Sequence, residues 1–341
     1  MAETLPAQMR VSEFMLNLAK EMVAKKGVAE STASAYIRML YGLNNKEAFK
    51  NLGFLKKTAE VDAKVAQYAE STQKSLYSGI TSVLSLYKDK AGYKKVYQHY
   101  YEKMMGKAKE VREGTDSTQK TEKEKENWID WKEVQQKRAE LKEKVAGFAK
   151  QKTLTPAQWD TLLHSTLVAL YTEVQPRRNQ DYLDMWVVRT KKPEDLPKDK
   201  NYLVLEGSAP KRFVFNKFKT SKTYGQQTLD IPGPLAESLA LYLKQHPLNK
   251  GNKKPTEFKF LVSADGTPLS AVNSITRALN KVFGKKVGSS MLRHIFLSSK
   301  YDINEMKEDA DAMGHSIEEQ RRYIRGSGAP ELVISEVEGQ E

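Results

Sequence analysis

The spacing of apolar residues changes character once along this chain, and that change limits the fold more than any other feature. Through residues 10–110 apolar side chains recur at i, i+3 and i+4 and never alternate, which predicts helices alone. "RVSEFMLNLAKEMVAKKG" sets Phe14, Met15, Leu18, Met22 and Val23 on one stripe, with Gly27 as a stop. Ser31 can cap a second helix through "ASAYIRMLYGL", and a third pattern covers "KEAFKNLGFL". A long pattern then runs through "QKSLYSGITSVLSLYKDK" and "YKKVYQHYYEKMM". A compact helical bundle over 1–110 is expected. Residues 111–127 are charged and apolar-poor, a composition that cannot bury enough surface to fold by itself, and they read as a linker.

From 128 onward two periods mix. Helical patterns at "WIDWKEVQQKRAELKEKVAGF" and "PAQWDTLLHSTLVALYTEV" precede strand candidates "DMWVVR", "NYLVLEG", "KRFVFNKF" and "QQTLDIP", which Gly, Pro, Asn and Asp separate. Helices resume at "PLAESLALYLKQH", "SAVNSITRALNKVFG", "SMLRHIFLSSKY" and "EEQRRYIRG". The expected class is mainly α with a small antiparallel sheet, α+β, over 128–330, followed by an acidic tail at 331–341. Trp186 and the pair Trp128 and Trp131 read as core positions.

Charge narrows the partners. The net charge is +13, with a surplus of seven over 1–110, nine over 151–330 and four acids in the last eleven residues. Two basic segments suit a polyanion held by two domains. The absence of cysteine excludes disulfides, thiolate metal sites and thiol nucleophiles. No apolar run approaches the roughly 18 residues of a membrane span. "MAETLPAQMR" carries an early acid and no apolar stretch, so an intracellular rather than secreted protein is expected. There is no GxxxxGK[ST] loop, no GxGxxG after a strand and no HExxH, so neither metal nor nucleotide cofactor is expected.

One ordered series remains. Arg178 stands three residues before Asp181 in "QPRRNQDYLDM", and Lys222 lies between two strand candidates in a stretch it shares with Lys217 and Lys219. Arg293 follows in "SSMLRHIFLSS", His315 in "AMGHS" and Tyr323 in "IEEQRRYIR". In this order and context the residues resemble the tyrosine recombinase (integrase) family of DNA breaking and joining enzymes, over roughly 155–326. The family has an R-x-x-E-like box, a hairpin lysine, an H-x-x-R box, an "LGHS"-type turn and a nucleophilic tyrosine. The resemblance implies a helical core-binding domain, a catalytic domain, double-stranded DNA as partner and assembly of two to four protomers on DNA. It assigns catalysis to Arg178, Lys222, Arg293, His315 and Tyr323. The strip Leu332–Ile334 resembles the tail such enzymes dock onto a neighbour.

Two departures stand out. Ser290 occupies the histidine position of the H-x-x-R box; a hydroxyl can donate to a phosphate oxygen but cannot carry a proton charge. His294, one residue past Arg293, is rotated about 100° around a helix and should point elsewhere. The doublet Arg177–Arg178 leaves the first arginine ambiguous. Counting from Arg178, Tyr182 and Met185 make an apolar face, which favours Arg178 and leaves Arg177 as a phosphate contact. Further DNA contacts are expected from Lys217 and Lys219, and from Tyr36, Arg38, Lys74, Tyr77 and Lys88, which interleave aromatics with bases.

The chemistry needs these residue types. Transesterification at a phosphodiester puts extra charge on the non-bridging oxygens, and two guanidinium forks match them without losing their own charge. A phenol with a pKa of about 10 is a weak nucleophile that must shed its proton, and the leaving 5′ oxygen must gain one, with Lys222 as donor. A type IB topoisomerase uses nearly the same residues, and Ser290 keeps that reading open, although its small viral members begin with a β-rich domain. A non-catalytic DNA-binding descendant of a recombinase is the third reading.

Overall fold

The computed structural model describes residues 9–115, 120–190, 192–250, 255–301 and 313. The chain divides into two compact units, Met1–Gln119 and Lys120–Glu341, each with its own core. The division falls inside the stretch read as a linker. Of that stretch, 111–115 extend a helix and Glu122–Asn127 form another, closed by a capping box between Thr121 and Glu124. Local capping and charge-paired turns hold these residues helical where an apolar core does not.

The first unit is helical: α1 (Glu13–Lys26), α2 (Glu30–Leu43), α3 (Thr58–Val65), α4 (Glu70–Leu84) and α5 (Lys94–Thr115). Ser12 caps α1 by accepting the Met15 N–H at 3.2 Å, and Gly27 ends it at φ 62°, a left-handed cap that favours glycine. Met15, Leu18, Met22, Ile37, Leu40, Ile80 and Tyr100 form the core. Ser31 does not cap α2, which starts one residue earlier with Ala29 at its N-cap. "KEAFKNLGFL" is not a helix. The Asn51 side chain accepts the Gly53 N–H at 2.7 Å, and a single 3-10 turn follows over Gly53–Lys56. Its apolar residues Phe49, Leu52 and Leu55 are nonetheless buried.

The second unit contains α6 (Glu122–Asn127), α7 (Trp131–Ala146), α8 (Pro156–Thr172), α9 (Asn179–Leu183), α10 (Ser221–Tyr224), α11 (Gly233–Gln245), α12 (Val272–Phe283) and α13 (Ser289–Lys300). Five strands form one sheet in the order β4-β3-β2-β1-β5: β1 (Trp186–Arg189), β2 (Tyr202–Glu206), β3 (Ala209–Phe215), β4 (Gln227–Asp230) and β5 (Glu257–Lys259). The sheet is mixed rather than antiparallel. β1 runs parallel to β2, with Trp186 opposite Tyr202, because residues 190–201 cross over instead of turning back. β5, three residues long, is too short to show a pattern. Val187, Leu203 and Phe213 face the main core with α8 and α11, while Val188, Tyr202, Val204 and Val214 make a smaller cluster on the other face. Trp128 and Trp131 pack partly buried on the main core. Trp186 packs partly buried on the smaller cluster instead. Its ring lies on the outer face between the ammonium groups of Lys200 and Lys259, 4.4 and 4.5 Å from its centroid.

Among the described residues no helix is long and apolar enough to cross a membrane. Architecture is therefore mainly helical with a small mixed sheet in the second unit, an α+β arrangement.

Candidate active site

Arg178 is the N-cap residue of α9, placed there by the irregular segment that follows α8. The Asp181 N–H returns to the Arg178 carbonyl at 3.0 Å, so the first turn sets the two residues on adjoining positions. Asp181 is buried, and its Oδ1 has no hydrogen-bond partner among the described residues. Burial raises its pKa, and Arg177, Arg178 and Arg293 oppose that rise by stabilising the charged form. Arg177 pairs with this carboxylate directly, and the charges of Arg178 and Arg293 add to the positive field around it.

The members of the doublet differ in what they do. Arg177 donates from Nε to Asp181 Oδ2 and from Nη1 to Gln227 Oε1, both at 2.9 Å. Its guanidinium carbon also lies 3.9 Å from the Phe215 ring centroid. These contacts engage Nε and Nη1 inside the unit, on a side chain expected to contact phosphate. Arg178 is half-buried, its side chain has no hydrogen bond or ion pair among the described residues, and Tyr182 and Met185 beyond it are fully buried. Arg293, on α13, is also half-buried, and among the described residues its one side-chain hydrogen bond is a long 3.4 Å contact from Nε to the Ser289 carbonyl. Both retain donors for an anion. Ser290 is exposed on the first turn of α13. His294 is exposed.

Two buried asparagines organise the site, and sequence reasoning missed both. Asn179 Oδ1 accepts the Tyr171 hydroxyl at 2.7 Å, and its Nδ2 donates to Thr276 Oγ1 at 2.9 Å and the Val272 carbonyl at 3.3 Å. Burial keeps the Tyr171 hydroxyl protonated and donating, with Ser289 of α13 also facing it. The residue after Arg178 and the start of the Arg293 helix therefore meet at one hydroxyl. Asn201 joins α9 to the segment after β3: Nδ2 donates to the Asp181 and Lys217 carbonyls at 2.9 Å each. Asn179 stands in "QPRRNQDY" and Asn201 in "PKDKNYL", polar surroundings that a linear pattern reads as turn residues.

Lys222 sits on α10, a single exposed helical turn between β3 and β4, rather than in a tight hairpin. Lys219 is exposed on the same connection. Lys217, also exposed, lines a groove of about 200 Å³ with Trp186, Lys200, Lys259, Asp184 and Asp199. In the first unit, Arg38 and Lys88 are exposed, Lys74 is half-buried, and Tyr36 packs over Gly79. Tyr77 corrects the expected interleaving. It is 4% exposed, donates to Asp62 Oδ1 at 3.0 Å and belongs to the core. His315, Tyr323 and the tail 331–341 lie outside the described residues. Among those described, no group of three or more His, Asp or Glu could hold a metal ion.

Compared with known proteins, the chain matches no family model, no curated protein and no solved structure.

Proposed function

We propose that this protein is a site-specific DNA recombinase of the tyrosine type, an integrase or excisionase for a viral or mobile genome. The observation that supports it most is that Arg178 and Arg293, both half-buried, keep side-chain donors unengaged while their charges add to the positive field at Asp181. In this reading their two forks bind the non-bridging oxygens of a scissile phosphate, and His315 adds a third donor. Tyr323 attacks phosphorus as its phenol proton passes to solvent, the P–O5′ bond breaks, and Lys222 gives the 5′ oxygen its proton. The 3′-phosphotyrosyl bond keeps the energy of the phosphodiester, so rejoining to another 5′ hydroxyl needs no nucleotide. The two basic units, one wholly helical and one bearing the catalytic series, serve as core-binding and catalytic domains on duplex DNA. Several protomers assemble on paired sites.

A nicked suicide duplex tests this: wild type should accumulate a covalent adduct and Tyr323→Phe should not. An adduct persisting in that variant would remove Tyr323 as nucleophile, and sequence-specific binding without any cleavage would favour a non-catalytic DNA-binding protein. Ser290, exposed where the family carries histidine, is the one observation that favours a type IB topoisomerase. The helical first unit speaks against it, and relaxation of a plasmid lacking any cognate site would decide for it.

A further inference from the structure

We infer that Asn201 is a positioning residue for the general acid: it fixes the connection that carries Lys222 against the segment that carries Arg178. The inference rests on the recombinase reading and adds a residue outside its catalytic series.

Asn201 is 3% exposed and uses every valence of its amide. Nδ2 donates to the Asp181 carbonyl and the Lys217 carbonyl at 2.9 Å each, while Oδ1 accepts the Asn216 N–H at 2.9 Å and the Lys217 N–H at 2.7 Å. Its own carbonyl accepts the Trp186 N–H at 2.9 Å, which ties it to β1. One side chain therefore joins α9, three residues past Arg178, to the first residues after β3.

The connection beyond is held from that root. Phe218 is buried, its carbonyl takes the Ser221 N–H at 3.0 Å, and the Thr220 carbonyl takes the Thr223 N–H at 3.0 Å, so Lys222 follows a determined path. At the far end Gln226 Nε2 donates to Asn216 Oδ1 at 2.5 Å, and Asn216 Nδ2 donates to the Lys200 carbonyl at 2.8 Å. Both ends of the connection close on the residues that Asn201 grips. A carboxylate here could not donate to two carbonyls, a hydroxyl could not make four bonds, and an apolar side chain would leave two N–H and two C=O groups unpaired.

The step concerned is cleavage. The bond from Tyr323 Oη to phosphorus forms as its phenol proton passes to solvent, P–O5′ breaks, and the proton on Lys222 Nζ moves to O5′; rejoining reverses each transfer. A displacement of Lys222 by about 1 Å costs about 10²-fold in rate. Sulfur in place of the bridging 5′ oxygen leaves as a thiolate, whose lower proton affinity makes the acid unnecessary.

The full chain is assayed for adduct formation on nicked duplexes carrying oxygen or sulfur at that bridging position. Asn201→Asp, which keeps the acceptor and loses both donors, should be slowed about 10²-fold on the oxygen duplex. It should match wild type on the sulfur duplex, with DNA affinity unchanged, as Lys222→Ala should. Arg178→Ala should be slow on both. Equal slowing of Asn201→Asp on both duplexes, or no slowing on oxygen, overturns the assignment. If Asn201→Asp does not fold, the exposed Gln226→Ala decides: a loss of about tenfold on oxygen alone supports the role, and no loss overturns it. Absence of any wild-type adduct on either duplex removes the recombinase reading and this role with it.

Discussion

Arg177 Nε stands 2.9 Å from Asp181 Oδ2, while the side chain of Arg178, its neighbour in the chain, has no hydrogen bond or ion pair among the described residues. Adjacent arginines thus divide the labour. One spends its fork on the interior, and the other keeps its fork for something outside.

That division separates stability from activity. Arg177→Ala leaves Asp181 buried without its closest cation and should lower unfolding free energy by about 3 kcal/mol. Arg178→Ala should change stability by less than about 0.5 kcal/mol. It should nonetheless slow adduct formation by about 10²–10³-fold. Urea denaturation and the suicide-duplex assay measure the two sides. The reverse pattern would make Arg177 the catalytic arginine.

His246 should make the second unit acid-sensitive. It is fully buried, its Nε2–H donates to the Phe260 carbonyl at 3.0 Å, and its Nδ1 accepts the Leu248 N–H at 3.2 Å, an arrangement only neutral imidazole can make. Burial pushes its pKa from 6.5 down to about 4. Below pH 6.5 the unfolded chain takes a proton that the folded chain refuses, so stability falls as pH drops and levels off below about 4. The full loss is on the order of 3 kcal/mol. Denaturation across that window should show a smaller slope for His246→Gln than for wild type. Identical slopes would exclude His246.

Arg138 binds α7 to the end of α8 and to α11, donating to Glu173 Oε1 at 2.9 Å and Ser238 Oγ at 2.5 Å, while its Nη1 has no partner among the described residues. Arg138→Ala should destabilise the second unit by about 3 kcal/mol, because it strands a partly buried carboxylate. Arg138→Met combined with Glu173→Gln should recover most of that loss in thermal unfolding. A double variant no better than Arg138→Ala would show that the pair is favourable in its own right.

At Gly79 the helices α2 and α4 approach closely, and a Cβ there would lie 3.1 Å from the Tyr36 ring. Gly79→Leu should therefore cost the first unit about 1–3 kcal/mol through overpacking. Hydrogen exchange should quicken in α2 and α4 and remain unchanged in α8 and α11. Faster exchange throughout would mean that the two units unfold together.

Helix periodicity made much of the fold legible. The Met15–Leu18–Met22 stripe and the Gly27 stop reappear as the buried face and left-handed cap of α1. The long pattern before 110 resolves into α4 and α5, because residues 85–93 turn between them with Gly92 at φ 79°. Strand patterns marked β1 to β4, but alternation reports which face a residue takes and not which direction its neighbour runs. At the candidate site the order of Arg178, Lys222 and Arg293 was readable. Tyr77 was misread because an aromatic beside a lysine looks the same whether its hydroxyl meets water or Asp62.

By itself the sequence determined the helical first unit, the mixed second unit, the basic charge of both and the residue types available for phosphate chemistry. These depend on local periodicity and on composition, which act over a few residues or over the sum of all of them. Only the tertiary structure decided which arginine of the doublet turns inward, and that Asn179 and Asn201 hold the site together. Those outcomes depend on partners distant in the chain: Gln227 for Arg177, Thr276 for Asn179, Asp181 and Lys217 for Asn201. A buried amide or guanidinium takes its role from the donors and acceptors that folding brings to it, and no spacing along the chain encodes them.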